Sequence, residues 1–223
     1  MDSPSSNRLP LPGLQAAHAR DWVRIGLWLV VATMAYNTVE GIVALWAGAR
    51  ADSIALLGFG LDSFIECTAA AVLLWRLAVE RRGADPETIE TSERKVHRFV
   101  GGTFLVLAFY VLVQASWTLW HRDPAEESII GILLAAVSLV VMPLVSWGKL
   151  HAAKAINSAA LRSEAKETLA CSYLSFTLLL GLLANAVAGW WWADPIAAFL
   201  MTPWLVKEGM EGLRGEHCET AHQ

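Results

Sequence analysis

The chain has 223 residues, of which 55% are hydrophobic and 17% are charged, and its formal net charge at pH 7 is −4. This apolar fraction excludes a disordered chain, and the acidic balance offers no polybasic surface to a nucleic acid. Three cysteines, an odd number, cannot close a disulfide framework. We therefore expect an all-α membrane protein whose main surroundings are the lipid bilayer and which has no nucleic-acid partner.

Uncharged or nearly uncharged runs of about 20 residues are long enough to cross the hydrocarbon core as helices. The chain contains six such runs, which predict six transmembrane helices: Ile25–Ala47, Ser53–Trp75, Phe99–Trp120, Ile129–Trp147, Thr168–Trp190 and Pro195–Leu213. The transmembrane domain is therefore expected over residues 25–213. Residues 1–24 are expected to form a flexible cytoplasmic tail, and residues 214–223 a short second one.

The sixth run is the least apolar of the six. Its final turns carry Lys207, Glu208 and Glu211, and their side chains are expected to reach the membrane interface. Its start is better marked, because Asp194 is expected to cap the first free amides of the helix and Pro195 suits the first turn.

The basic residues predict the orientation of the chain. Of the 17 Lys and Arg residues, 15 fall on one side of the membrane when Lys207, in the final turns of the sixth run, is counted with the C-terminal segment. Because Lys and Arg favour the cytoplasmic side, both termini and the segments 78–98 and 148–166 are expected to be cytoplasmic. The sequence thus predicts a multi-pass protein of the plasma membrane.

A Ser-x-Ala-Leu motif begins at Ser53 and again at Ser158. In both copies an acid lies nine residues after the serine, and another side chain able to bind a metal follows four residues later. These residues are Asp62 and Glu66 in the first copy, and Glu167 and Cys171 in the second. Three crossings in each half would make the halves a 3+3 inverted repeat, although a chance similarity of five positions is the alternative.

Asp62 and Glu66 lie on one helix face near the middle of the second span. Ionisable groups inside a membrane face the bundle interior and mark a cation or proton path. Together with Glu167 and Cys171 they offer three carboxylates and one thiolate, which suit a tetrahedral zinc-like ion. We expect this divalent ion to be a transported substrate and not a resident cofactor. The alternatives are an acid that stabilises helix packing and, for Cys171, a small buried apolar side chain.

The four residues of this constellation are not all expected at the same depth, and two polar residues of the first span accompany them. Hydropathy puts Glu167 about 10 Å closer to the cytoplasmic boundary than Asp62 and Glu66 at ~1.5 Å per residue, a difference that a tilted fifth helix or a site open to the cytoplasm would remove. Asn37 and Glu40 share one face of the first span. They are expected to support the ligands or to relay protons.

At these residues the chain resembles the membrane domain of the cation diffusion facilitators. The resemblance rests on Ser53 through Glu66, Ser158 through Ser175 and Trp192 through Ala198, and it covers about residues 25–213. It implies a six-span homodimer that moves zinc and related divalent ions out of the cytoplasm in exchange for protons. It also implies that the fifth-span ligand positions, which usually hold His and Asp, are Glu167 and Cys171 here. The family's usual C-terminal cytoplasmic domain is not expected in this chain.

These observations predict a secondary transporter and not an enzyme. Carboxylic acids in a low-dielectric cavity favour their protonated form, and a metal ion must displace those protons to bind. Export of a zinc-like ion coupled to inward proton flow is therefore the leading hypothesis. The alternative is a non-transporting membrane protein whose intramembrane acids stabilise helix packing or bind a partner.

Overall fold

The computed structural model describes residues 12–81, 86–122 and 125–214. Within these ranges the chain forms six α-helices: α1 (Pro12–Ala51), α2 (Ile54–Arg81), α3 (Pro86–His121), α4 (Ile129–Ala155), α5 (Ala159–Ala188) and α6 (Ala193–Arg214). Five of the six, α1 to α5, are long and apolar enough to cross a membrane. The all-helical, polytopic membrane fold predicted from the sequence is confirmed. Of the predicted tails, residues 1–11 and 215–223 lie outside the described residues.

Several helices extend beyond the predicted spans. Helix α1 begins at Pro12, so the second half of the tail expected over residues 1–24 is helical, because proline suits the first helical turn and the alanines that follow favour helix. Helices α4 and α5 likewise continue into the segment 148–166, which was expected to lie outside the predicted spans, and they leave only residues 156–158 between them. Hydropathy marks where a helix leaves the hydrocarbon core, not where its hydrogen bonding ends.

The two Ser-x-Ala-Leu motifs form the same local structure. Ser53 Oγ accepts a hydrogen bond from Leu56 N at 3.1 Å, and Ser158 Oγ accepts one from Leu161 N at 3.2 Å. Each serine therefore caps the helix that follows it, α2 or α5, by satisfying one of the first free amides. The repeated motif is the sequence of a helix start.

The turns that precede these caps are also alike. Asp52 has a φ of 50° and Asn157 a φ of 52°, a left-handed conformation that Asp and Asn adopt more readily than most residues. The serine amide then donates to the carbonyl five residues earlier, at 3.1 Å in the first copy and 2.9 Å in the second. The chain thus makes one tight turn twice, between α1 and α2 and between α4 and α5.

The helices pack as two three-helix halves. Helices α1, α2 and α3 contact their equivalents α4, α5 and α6, and within each half the first helix packs on the second and the second on the third. The equivalent helices run in opposite directions, as an inverted repeat requires. At Gly101 of α3, an added Cβ would lie 2.7 Å from the Gly209 carbonyl oxygen of α6, so glycine allows these two backbones to approach closely.

At one end of the bundle, which we call the Ser53 end, hydrogen bonds link helices and loops. Asn185 Nδ2 donates to the Ala125 carbonyl at 2.9 Å, and Glu126 N donates to the Ala51 carbonyl at 2.7 Å. The opposite end, which contains the α4–α5 turn, is called the Asn157 end.

Asp194 also lies at the Ser53 end, but it does not act as predicted. Its carboxylate accepts hydrogen bonds from Ser53 Oγ and from Ile54 N at 2.9 Å, so it caps α2 and not its own helix. The correction has a geometric reason, since Asp194 lies inside the first turn of α6 and faces the free amides at the neighbouring helix start. Asp194 therefore fixes the start of α2 against α6.

Candidate metal centre

Three predicted ligands come together in the middle of the bundle. The ligand atoms of Asp62 and Glu66 on α2 and of Cys171 on α5 all lie within 4.8 Å of one another. Asp62 is 3% exposed and Cys171 is 1% exposed, while Glu66 is half-buried. The cluster supplies two carboxylates and one thiol at a spacing that a single ion can bridge.

The geometry of the repeat explains why these residues meet. Glu66 and Cys171 each lie 13 residues after the serine that caps their helix, and the two helices have 28 and 30 residues and run antiparallel. Residues at that position therefore face each other near the helix midpoints. Asp62 and Glu167, one turn earlier on each helix, lie on opposite sides of the midpoint at ~1.5 Å per residue.

Glu167 accordingly lies outside the three-residue cluster but next to it. A cavity of about 40 Å³ is lined by Asp62, Glu66, Glu167 and Glu208, together with residues of α3 that include Gly101. This volume is enough for one or more water-sized species. The cavity extends from Asp62 toward the Asn157 end, so Glu167 lies on the approach to the cluster.

Glu208 was expected to reach the membrane interface, and that expectation is wrong. Its side chain is only 9% exposed and lines the cavity beside Glu167, because α6 packs closely on α3 and turns this face inward. Sequence reasoning missed it as a cavity residue. The signal available was its spacing of four residues from Trp204 and from Gly212, which line the same cavity.

Asn37 and Glu40 lie on the α1 side of the cluster. Asn37 Nδ2 donates a hydrogen bond of 2.6 Å to Glu66 Oε2, which fixes one oxygen of this carboxylate. Glu40 is 1% exposed and accepts a hydrogen bond from Ser63 Oγ at 3.1 Å. Asn37 therefore contacts a candidate ligand directly, whereas Glu40 contacts the residue that follows Asp62.

A buried ion pair between α4 and α5 was not predicted. Lys149 Nζ donates to Glu164 Oε1 at 2.7 Å and to Thr168 Oγ1 at 2.9 Å, and Lys149 is fully buried. Lys149 and Glu164 were expected in the cytoplasmic segment 148–166, outside the predicted spans. The Asn157-Ser158 turn was the missed signal, because a capped three-residue connection continues the helices on both sides.

Chemically, the cluster presents a mixed oxygen and sulfur donor set in a mostly apolar interior. Asp, Glu and Cys ligands in tetrahedral geometry are compatible with zinc, whereas oxygen alone suits harder ions. A water molecule in the cavity would complete four ligands. The assignment of Asp62, Glu66, Glu167 and Cys171 to a metal ion stays a prediction.

Comparison with known proteins adds independent information. Residues 30–214 match the cation efflux transmembrane domain. The chain is 26% identical over 189 residues to an uncharacterized transporter of Synechocystis, a match that covers 83% of this chain and 58% of the relative. It is 22% identical over 194 residues to the cation-efflux pump FieF of Shewanella oneidensis, with 85% of this chain and 64% of the relative covered.

The chain thus spans 58% to 64% of the length of these two relatives. The family match covers residues 30–214, which begin within α1 and extend to the end of α6, and it includes Asp62, Glu66, Glu167 and Cys171. The chain therefore belongs to the cation efflux family.

Proposed function

We propose that this protein is a secondary transporter that moves a divalent, zinc-like cation out of the cytoplasm in exchange for protons. The observation that carries the proposal is the Asp62, Glu66 and Cys171 cluster, whose ligand atoms lie within 4.8 Å of one another. Such a donor set is costly in a membrane interior unless a cation or protons neutralise it. Membership of a cation efflux family supports the same function.

The cavity supports a direction of entry. It runs from Asp62 past Glu167 and Glu208 toward the Asn157 end, which the distribution of Lys and Arg predicts to be cytoplasmic. At the Ser53 end, by contrast, hydrogen bonds from Asn185 and to Asp194 hold neighbouring segments together. The proposed transport cycle therefore starts from a conformation that accepts a cation from the cytoplasm and ends after the Ser53 end has opened.

Proton exchange follows from the chemistry of the same ligands. An empty cluster of two carboxyl groups and a thiol in a low-dielectric environment favours the protonated form. A cation must displace these protons in order to bind, so protons and cation compete for one set of atoms. This competition couples the two flows without an additional site.

Zinc transport by the reconstituted protein tests the proposal. We expect an acidic vesicle lumen to drive zinc uptake into proteoliposomes in molecules oriented with the Asn157 end outward, as reported by a lumenal zinc indicator. Asp62→Asn preserves shape but removes a charged ligand, and we expect it to reduce uptake at least about 100-fold, since residues that only support ligands are commonly worth 10–100-fold.

Glu127→Gln is the matched control, because Glu127 is an exposed acid in the connection before α4. We expect normal uptake by this variant. Equal zinc uptake by Asp62→Asn and the original protein would overturn the proposal.

Orientation has its own test. Cysteines introduced by Lys154→Cys and Glu126→Cys, both at exposed positions near opposite ends of the bundle, should respond differently to an impermeant thiol reagent added to intact cells. We expect labelling of the Glu126→Cys protein alone. Labelling of the Lys154→Cys protein alone would show that the Asn157 end faces outward and would contradict the proposed direction of transport.

A further inference from the structure

Lys149 is a buried cation that the proposed transport cycle does not use. Its side chain has no exposed surface, although it lies in a helix of membrane-spanning character. A lone ammonium group in this environment would be costly, and Lys149 is neutralised by Glu164 at 2.7 Å. Replacing such a pair by apolar residues is often neutral for stability. Stability therefore does not explain the pair, and its role is sought in how it positions the two helices that it joins.

The contacts of Lys149 lie on the face of α5 that carries the candidate ligands. At about 100° per residue, the residues Glu164, Thr168 and Cys171 fall within a sector of about 60°, and Glu167 lies about 40° further round the helix from Cys171. Lys149 contacts Glu164 and Thr168, which are one turn apart on either side of Glu167. Its ammonium group therefore contacts α5 within one helical turn of both candidate ligands, Glu167 and Cys171.

A second contact fixes the same pair of helices. Ser146 Oγ, one turn before Lys149 on α4, donates to the Ala165 carbonyl of α5 at 2.7 Å. Thr168 Oγ1 in turn donates to the Glu164 carbonyl at 3.1 Å, so its hydroxyl presents a lone pair to Lys149. A rotation of α5 about its axis by the angle of one residue, about 100°, would break the contacts of Lys149 with both Glu164 and Thr168.

We propose that Lys149, through Glu164 and Thr168, is a positioning residue that sets the rotation of α5 so that Cys171 and Glu167 face Asp62 and Glu66. The inference rests on the proposed function for its metal readout, but the position of Cys171 is measurable without a metal. Lys149 does not touch the ion. Its loss should weaken metal binding through the sulfur ligand and leave the α2 carboxylates in place.

The experiment uses the full chain in detergent with Cys67→Ala and Cys218→Ala, so that Cys171 is the single thiol. Lys149→Met removes the ammonium group. The double variant Lys149→Met with Glu164→Gln removes both charges and so avoids an uncompensated buried carboxylate if the single variant does not fold. Lys154→Met, which removes an exposed positive charge from the same helix, is the matched control.

The first readout is the alkylation rate of Cys171 without metal. Cys171 is 1% exposed, and we expect slow alkylation in the background protein and in Lys154→Met, with at least about a tenfold increase in either Lys149 variant. The second is the ultraviolet charge-transfer band of a cadmium–thiolate bond. We expect this band to be lost or reduced in the Lys149 variants, with cadmium affinity lowered at least about tenfold, as for other residues that orient ligands.

The outcomes separate the two proposals. Slow alkylation and an unchanged cadmium band in a folded Lys149 variant would overturn the positioning role. A background protein that binds no cadmium would contradict the proposed function, while fast alkylation in the Lys149 variants alone would still support the positioning role.

Discussion

The helix pairs α1–α2 and α4–α5 share a turn, a serine cap and the spacing of their candidate ligands, yet different chemistry links the two helices of each pair. Between α1 and α2 the links are neutral or acidic, and Asn37 donates directly to the ligand candidate Glu66 at 2.6 Å. Between α4 and α5 the link is the ion pair of Lys149 with Glu164, two residues that lie outside the cluster.

This difference shows that a repeated backbone does not imply repeated roles. The α2 half of the site has its carboxylate oriented by a hydrogen bond, whereas the α5 half depends on the rotation of the whole helix. Glu66 and Cys171 meet at the midpoint, and Glu167 remains on the approach to it. The two halves should therefore respond differently to equivalent substitutions.

The largest difference is expected between Glu66→Gln and Glu167→Gln. Glu66 lies within the cluster, so its loss should lower zinc affinity at least about 100-fold, beyond the 10–100-fold typical of supporting residues. Glu167 only lines the cavity, and its loss should lower affinity about tenfold or less. Calorimetric zinc titration of the purified variants measures both values. Equal losses of zinc affinity would show that Glu167 binds the ion as directly as Glu66 does.

Cys171 is the residue that distinguishes the α5 half chemically. Cys171→Ser removes the anionic soft donor and should weaken cadmium and zinc together, by about tenfold or more for cadmium. Cys171→Asp should spare binding but shift preference away from cadmium toward manganese, because carboxylates favour harder ions. Competition titrations with the three metals check this ranking. An unchanged ranking in both variants would mean that Cys171 is only a buried apolar side chain.

A substitution of Asn37 tests whether its hydrogen bond to Glu66 supports the α2 half of the site. Asn37→Ala removes the hydrogen bond to Glu66, and we expect a loss of about tenfold in zinc affinity with folding intact. Thr38→Val is the control, because Thr38 is the exposed neighbour whose hydroxyl bonds to the backbone of its own helix and contacts Cys67 Sγ at 3.5 Å, but contacts no candidate ligand. Zinc titration and circular dichroism of both variants provide the measurement. A loss in Thr38→Val as large as in Asn37→Ala would contradict a specific role for the amide.

The smallest effects are expected at the two caps. Ser158→Ala should cost about 1 kcal/mol of stability, as for other helix caps. Ser53→Ala should cost more, because Ser53 also donates to Asp194. Thermal unfolding of the two variants in one detergent compares them. A larger loss for Ser158→Ala would show that the Asp194 contact contributes little to stability.

Much of the fold was predictable, because hydropathy and helix length are strong signals in a membrane protein. Six helices, five of them of clear membrane-spanning character, follow from the apolar runs. Helix ends were less predictable, since the hydrogen bonding of α4 and α5 continues beyond the hydrocarbon core to Ala155 and from Ala159. The cap at Ser158 carried that information in the sequence.

For the site, spacing along a helix identified Asp62 and Glu66 as neighbours. It did not determine which second-half residue would join them, because that depends on how far α5 is shifted along α2. It also could not reveal that Asp194 caps a different helix, or that Glu208 faces the cavity, since both depend on contacts between distant parts of the chain.

The central claim is that one cation binds between Asp62, Glu66 and Cys171. X-ray absorption at the zinc edge tests it most directly, on the zinc-loaded full chain with Cys67→Ala and Cys218→Ala. We expect one sulfur neighbour per zinc at ~2.3 Å and oxygen neighbours at ~2.0–2.2 Å, with the sulfur lost after Cys171→Ser. A shell of oxygen or nitrogen alone that is unchanged by Cys171→Ser would contradict the claim.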